Sequence, residues 1–205
     1  FGSRKAVAAV PRAAGTNAVV LGRVEEAAAA TMADAEQPGE MAPTTGAFVA
    51  YFAAVLSSLA RGGGNEARTG FHAVRVPQIR IEDYLQRIAQ FFQCSTECFV
   101  LALIYIDRIV KLHPEFGISS RNVHRLALTS VMISAKFFDD VYYSNAYYSR
   151  VGGVRTKEMN NLEVLFLQLI NWQLYVSPGE FENYRDNVTA AVQGMAAEPP
   201  PAAEG

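Results

Sequence analysis

The nineteen residues from Asn122 to Asp140, NVHRLALTSVMISAKFFDD, restrict the possible folds more than any other part of the chain. Val123, Leu126, Ala127, Ile133 and Phe137 fall on one stripe at helical spacing, and Leu128, Val131, Met132 and Phe138 widen it almost all round. A helix apolar on nearly every side belongs in the middle of a bundle, because no face of it is suited to water. Its one late cation, Lys136, precedes the pair Asp139 and Asp140. An unpaired ammonium is costly to bury, so Lys136 needs a partner or a helix end from which its head reaches solvent.

The flanking sequence supplies helices to surround this one. Residues 1–45 are rich in Ala, Gly and Pro without an apolar period, which predicts a flexible low-complexity leader. From Gly46, Phe48, Phe52, Val55, Leu56 and Leu59 recur at helical spacing until Gly62-Gly63-Gly64. A loop to Pro77 comes next, then a helix over Ile79–Phe92 with Ile81, Leu85, Ile88 and Phe92 on one face. Ser95 is the expected N-cap of a largely apolar helix reaching Leu112, with Glu97 favourably placed in its first turn. Ser119 or Ser120 is the expected cap of the central helix. Tyr142, Tyr143, Tyr147 and Tyr148 fill a short helix closed by Gly152-Gly153. Thr156 can cap the next, whose inward residues are Leu162, Leu165, Phe166, Leu169 and Ile170, with Glu163 among them. Trp172 to Val176 reads as extended, and Ser177-Pro178-Gly179-Glu180 has the form of a capping box opening a last helix. That helix fades before Met195, leaving a disordered tail over 195–205. Seven helices without a strand pair predict an all-α bundle with short connections.

Composition narrows the function. A net charge of −2 gives no general attraction to nucleic acid or to an acidic membrane, so neither is expected as a partner. The apolar runs Ala47–Leu56 and Phe99–Ile106 are too short to span a bilayer. Cys94 and Cys98 are the two cysteines, which suits a reducing, intracellular setting in the nucleus, the cytoplasm or both. His72, His113 and His124 are scattered, so no metal and no cofactor is expected. VGGVR over 151–155 lacks the spacing of a nucleotide motif and is preceded by no strand, so a helix-to-helix turn explains it better. There is no G-x-S-x-G, no H-E-x-x-H and no histidine beside an evident acid. The chain is therefore expected not to be an enzyme.

Charges inside apolar helices are what remains. Asp107 and Arg108 sit in YIDR, where the simplest reading is a structural ion pair of Asp107 with Arg75 or another nearby arginine. Lys136 and Glu163 lie on strongly apolar helices separated by a short excursion, so the two side chains can reach one face. By themselves they suit a rim ion pair as well as a binding site.

The segments FHAVRVPQIRIEDYLQRI, CSTECFVLALIYIDRIV, NVHRLALTSVMISAKFFDD and YYSNAYYSRVGGVRTKEMNNLEVLFL, between Phe71 and Tyr184, resemble the cyclin family. The order and spacing of YIDR, NVHRL, AKFFDD, VGGV and N-x-LE are similar to the P-type (U-type) cyclins, relatives of the yeast phosphate-signalling cyclin. The resemblance implies a single five-helix cyclin box, its core about 77–176, within a domain over 46–194 that adds one helix on each side. It implies a cyclin-dependent kinase as partner, and the role of a non-catalytic, activating subunit in cell-cycle control or nutrient signalling. Lys136 and Glu163 would hold the kinase's regulatory helix. Ile133, Phe137, Leu167 and Leu174, with Trp172 at the edge, would form an apolar pocket beside them. Asp139 and Asp140 are placed for a further acidic contact with the kinase. Where mitotic cyclins carry the substrate-docking patch M-R-A-I-L, this chain has PQIRI over Pro77–Ile81, so that patch is not carried over. The alternative is a cyclin-fold transcription or nucleic-acid-binding module, which usually repeats the box and carries a basic face. Neither feature is visible in this sequence. Whether the chain self-associates is left open.

Overall fold

A computed structural model describes residues 45–61 and 68–196. Among them are seven helices: α1 (Thr45–Arg61), α2 (Ile81–Phe92), α3 (Glu97–Leu112), α4 (Val123–Phe138), α5 (Asn145–Gly152), α6 (Thr156–Leu169) and α7 (Pro178–Ala196). All seven predicted helices are present, most with bounds shifted by a few residues, but α5 begins only at Asn145, so of its four expected tyrosines Tyr142 and Tyr143 lie in the loop before it. The expected leader, the Gly62–Gly64 stop and the end of the tail lie outside the described residues; α7 runs to Ala196, just past the predicted start of that tail.

α4 is the interior helix that its sequence requires. It packs against α2, α3, α5 and α6, and eleven of its residues, Val123 and Leu126–Ala135 among them, are buried. Thr129, Ser130 and Ser134 are polar yet fully buried there. Each hydroxyl donates to a carbonyl of its own helix (Arg125, Ala127 and Ser130 respectively), so none competes with packing. α3 lies alongside α4 and also touches α1 and α7. Of the two flanking helices, α1 packs mainly on α2 and also on α3 and α7, and α7 packs on α1 and α3, while α5 and α6 complete the surround of α4.

Several ends are capped differently from expectation. Asn122, not Ser119 or Ser120, precedes α4; its amide accepts from the Ser119 backbone N–H at 2.8 Å and donates to the Gly117 carbonyl at 2.7 Å. Thr156 is the first residue of α6 and bonds Ser149 across the α5–α6 turn rather than capping. Only half of the α7 capping box forms: the Glu180 N–H donates to the Ser177 hydroxyl, while the Glu180 carboxylate turns to Arg108. At the end of α5, Gly153 is left-handed at φ 69°, and Gly152 lets α5 press directly on α4. The VGGVR stretch is a helix-to-helix turn, as its spacing suggests.

The segment between α6 and α7 is not simply extended. Asn171 and Trp172 are both left-handed, at φ 51° and 60°, a conformation that costs an ordinary residue roughly 1–2 kcal/mol. The Trp172 N–H donates to the Leu167 carbonyl at 2.8 Å, closing the end of α6. The YIDR motif then holds the rest of the segment down to the start of α7. Tyr105 donates to the Leu174 carbonyl at 2.9 Å. Arg108 donates to the Gln173 and Tyr175 carbonyls at 2.7 and 3.0 Å and pairs with Glu180 at 2.9 Å.

Asp107 is 1 % exposed and pairs with Lys111 at 2.5 Å, one helical turn on. It also accepts the Tyr184 hydroxyl of α7, whose own ionisation burial pushes upward. Lys111 and Tyr184 are thus among its partners, whereas Arg75, the partner expected from sequence, is exposed and makes no ion pair with it. A lysine on the same helix reaches Asp107 without crossing the bundle.

Candidate functional site

Lys136 occupies the last turn of α4 and Glu163 the middle of α6. Packing of these two helices brings the Lys136 Nζ to 2.6 Å from the Glu163 Oε1. The pair is neither sealed nor free: the two side chains are 26 and 20 % exposed. A third residue completes it. Asn145, the first residue of α5, accepts from Lys136 at 2.9 Å and donates to Glu163 Oε2 at 2.6 Å and to Asn160 at 2.8 Å. Sequence reading missed Asn145; the signal available was an amide in the first turn of a helix joining the two charged ones.

The network leaves capacity for a partner. An ammonium has three donors, and Lys136 uses two on Glu163 and Asn145. A carboxylate has about four lone-pair sites, of which these internal contacts occupy two on Glu163. One donor and two acceptor sites therefore remain outside these internal contacts.

Around the charges lie exposed apolar side chains. Phe137 is 50 % exposed and Trp172 62 %, and Phe138, Val164 and Tyr175 are exposed as well. Leu167 and Leu174 are half-buried, each packed against the core by one side. Phe137, Leu167, Leu174 and Trp172 thus have surface to offer. Ile133 does not. At 2 % exposure it belongs to the core beneath, because an all-round apolar helix turns that face inward.

Asp139 is also otherwise engaged. Its carboxylate accepts the Ser95 N–H at 3.0 Å, the Ser95 hydroxyl at 2.6 Å and the Cys98 thiol at 3.3 Å. It ties the Ser95 turn that leads into α3 to the end of α4, and its negative charge lies near the start of α3, where it is favoured. Asp140 is exposed. A hydrogen bond with Cys94 and burial push the Cys98 thiol's pKa upward. Among the described residues, no cluster of three or more His, Cys, Asp or Glu side chains is arranged for a metal ion. No described helix is long and apolar enough to cross a membrane.

A seven-helix bundle in which α2–α6 can be read as a five-helix box with one helix added on each side is the architecture expected of a cyclin. The Cyclin family profile matches residues 19–174, and the chain belongs to the cyclin family. Members of that family are generally regulators without catalysis of their own. Its relatives place it among the plant P- and U-type cyclins. It is 42 % identical over 161 residues to Cyclin-U4-1 of Arabidopsis thaliana, covering 75 % of this chain and 78 % of that one. Identity to Cyclin-P4-1 of Oryza sativa subsp. japonica is 41 % over 157 residues, with 71 and 74 % covered. Identity to Cyclin-U4-2 of Arabidopsis thaliana is 47 % over 116 residues, where the match spans 57 % of this chain and 54 % of the relative.

Proposed function

We propose that this cyclin is the activating subunit of a cyclin-dependent kinase and that the Lys136–Glu163–Asn145 network receives the kinase's regulatory helix. The observation that carries the reading is the 2.6 Å Lys136–Glu163 pair, about a quarter exposed, with bonding capacity unspent and with Phe137 and Trp172 exposed at the ends of the same two helices. Lys136 donates to carbonyls at the end of the kinase helix, and Glu163 accepts from kinase N–H groups while steadying Lys136. Phe137, Leu167, Leu174 and Trp172 take the helix's apolar side chains. Docking favours the inward position of that helix, in which its glutamate meets the kinase's ATP-binding lysine. The cyclin acts by binding the active arrangement more tightly than the inactive one. Two free cysteines suit action in the reducing nucleus or cytoplasm, in cell-cycle control or nutrient signalling.

The test is affinity capture of the kinase by wild type and by Glu163→Ala. Removing one member of a desolvated charged contact costs about 2–5 kcal/mol, on the order of 30- to several-thousand-fold in affinity. A folded Glu163→Ala protein that holds the kinase as tightly as wild type would falsify the reading.

A further inference from the structure

A second feature lies at the opposite end of α4. Arg125 stands eleven residues before Lys136, roughly 17 Å along the helix at 1.5 Å per residue. There a surface cavity of about 590 Å³ opens between the segment before α2, α2 itself and the start of α4. Its lining includes Arg75, Arg87, Arg125 and His124, with no carboxylate, in a chain whose net charge is −2. Arg125 already holds Glu158 of α6 at 2.6 Å. Arg75 and Arg87 are exposed, and among the described residues neither has an ion-pair partner. His124 bonds the Ile79 carbonyl through Nε2 at 2.9 Å, while its buried Nδ1 has no hydrogen-bond partner.

Because Nε2–H donates to a carbonyl and burial keeps the ring neutral, Nδ1 is an acceptor, and the demand for an anion comes from the arginines. Guanidinium forks match the oxygens of a phosphoryl group, and two unpaired arginines beside a third suit a dianion better than a single carboxylate. The cavity is much larger than an inorganic ion and within the usual range of ligand sites. Pro77 and Ile79 add apolar surface to its wall, so the occupant brings carbon as well as charge. A nucleotide is poorly served, because Tyr84 is buried with its hydroxyl donating to the Gly152 carbonyl, and no other aromatic ring apart from His124 lines the cavity. We propose that this cavity docks a phosphorylated side chain carried by a protein partner, gripped by Arg75 and Arg87 at the surface with Arg125 and His124 beside them. PQIRI, which stands where mitotic cyclins carry their docking patch, thus contributes Pro77 and Ile79 to a site of different, cationic chemistry. The site does not depend on the kinase reading, since it shares no residue with the Lys136–Glu163 network.

The chain has three histidines, so a ring-nitrogen-labelled histidine spectrum reports on His124 directly, with the distant His113 as internal control. The full chain is titrated with a short alanine-flanked phosphoserine peptide, its unphosphorylated twin and inorganic phosphate. Saturable movement of the His124 signals by the phosphopeptide is expected, with His113 still and the twin inert. The double variant Arg75→Ala/Arg87→Ala, whose residues are exposed and whose melting by circular dichroism should match wild type, is expected to bind at least about tenfold more weakly. Glu163→Ala should bind the peptide like wild type, which separates this site from the kinase contact. Equal response to the twin, no saturable movement, or unchanged binding by the double variant overturns the proposal. Inorganic phosphate binding as tightly as the peptide overturns the protein-borne ligand in favour of a free ion.

Discussion

Asn145 shows how one uncharged side chain can set the behaviour of two charged ones. Without it, Lys136 and Glu163 would still meet, but each could swing independently on a flexible stem. With it, both carboxylate oxygens and two of the three ammonium donors are held within a ring of short bonds. Preorganised groups lose less entropy when a partner arrives. Replacing Asn145 by Ala should therefore weaken kinase binding by roughly tenfold, the equivalent of about 1.4 kcal/mol, without abolishing it. Isothermal titration against the purified kinase checks this, and a smaller loss than for Glu163→Ala is the expected order. Lys136 and Glu163 were legible in the sequence because charge inside an apolar period is conspicuous. Asn145 was not, since an Asn in a polar turn looks like an ordinary solvated residue, and Asp139, though singled out for a kinase contact, gave no sign of its bond to Ser95. Their partners, Glu163 and Ser95, lie 18 and 44 positions away.

At the level of helices, short-range signals placed the elements and long-range contacts placed their ends. Gly152 illustrates the second kind. A Cβ there would sit 2.7 Å from the Leu128 Cδ1 and closer still to its Cδ2, so α5 rests on α4 at a distance only glycine permits. Gly152→Ala should destabilise the domain by about 1–3 kcal/mol as Leu128 or the helix is displaced. In a thermal melt that is a fall of roughly 2–12 °C for a domain of this size. A melting temperature unchanged from wild type would show that Leu128 turns aside freely. The sequence marked Gly152-Gly153 as a helix stop, which suits Gly153 with its positive φ. It gave no sign that the first glycine serves packing instead. YIDR behaved likewise: its buried acid was evident, but its grip on residues 173–184 needed a loop whose path only the folded chain defines.

For the molecule as a whole, the bundle keeps its two surface features at opposite ends of one buried helix. The exposed aromatic surface is separable from stability. Trp172 is 62 % exposed, yet its left-handed backbone is held by its N–H on the Leu167 carbonyl and by the Leu174 N–H on its own carbonyl. Trp172→Ala should move the melting temperature by no more than about 2 °C, as surface changes usually do. Kinase affinity should meanwhile drop by about 30-fold or more if the indole is a docking anchor. Paired melting and titration curves test both halves, and a variant losing stability and affinity together would assign Trp172 to the scaffold.

The sequence by itself determined that this chain is an all-α bundle around a buried 123–138 helix, and that charge on α4 and α6 was its unusual feature. Those properties are local: a 3.6-residue period and the cost of an unpaired charge can be read within one stretch of chain. Only the tertiary structure decided that Ile133 faces the core, that Asp139 bonds the Ser95 turn, that Asp107 takes Lys111 and Tyr184, and that three arginines share one cavity. Each of those outcomes depends on which distant backbone or side chain arrives first within about 3 Å, and hydrogen bonds at that range are set by packing, not by spacing along the chain.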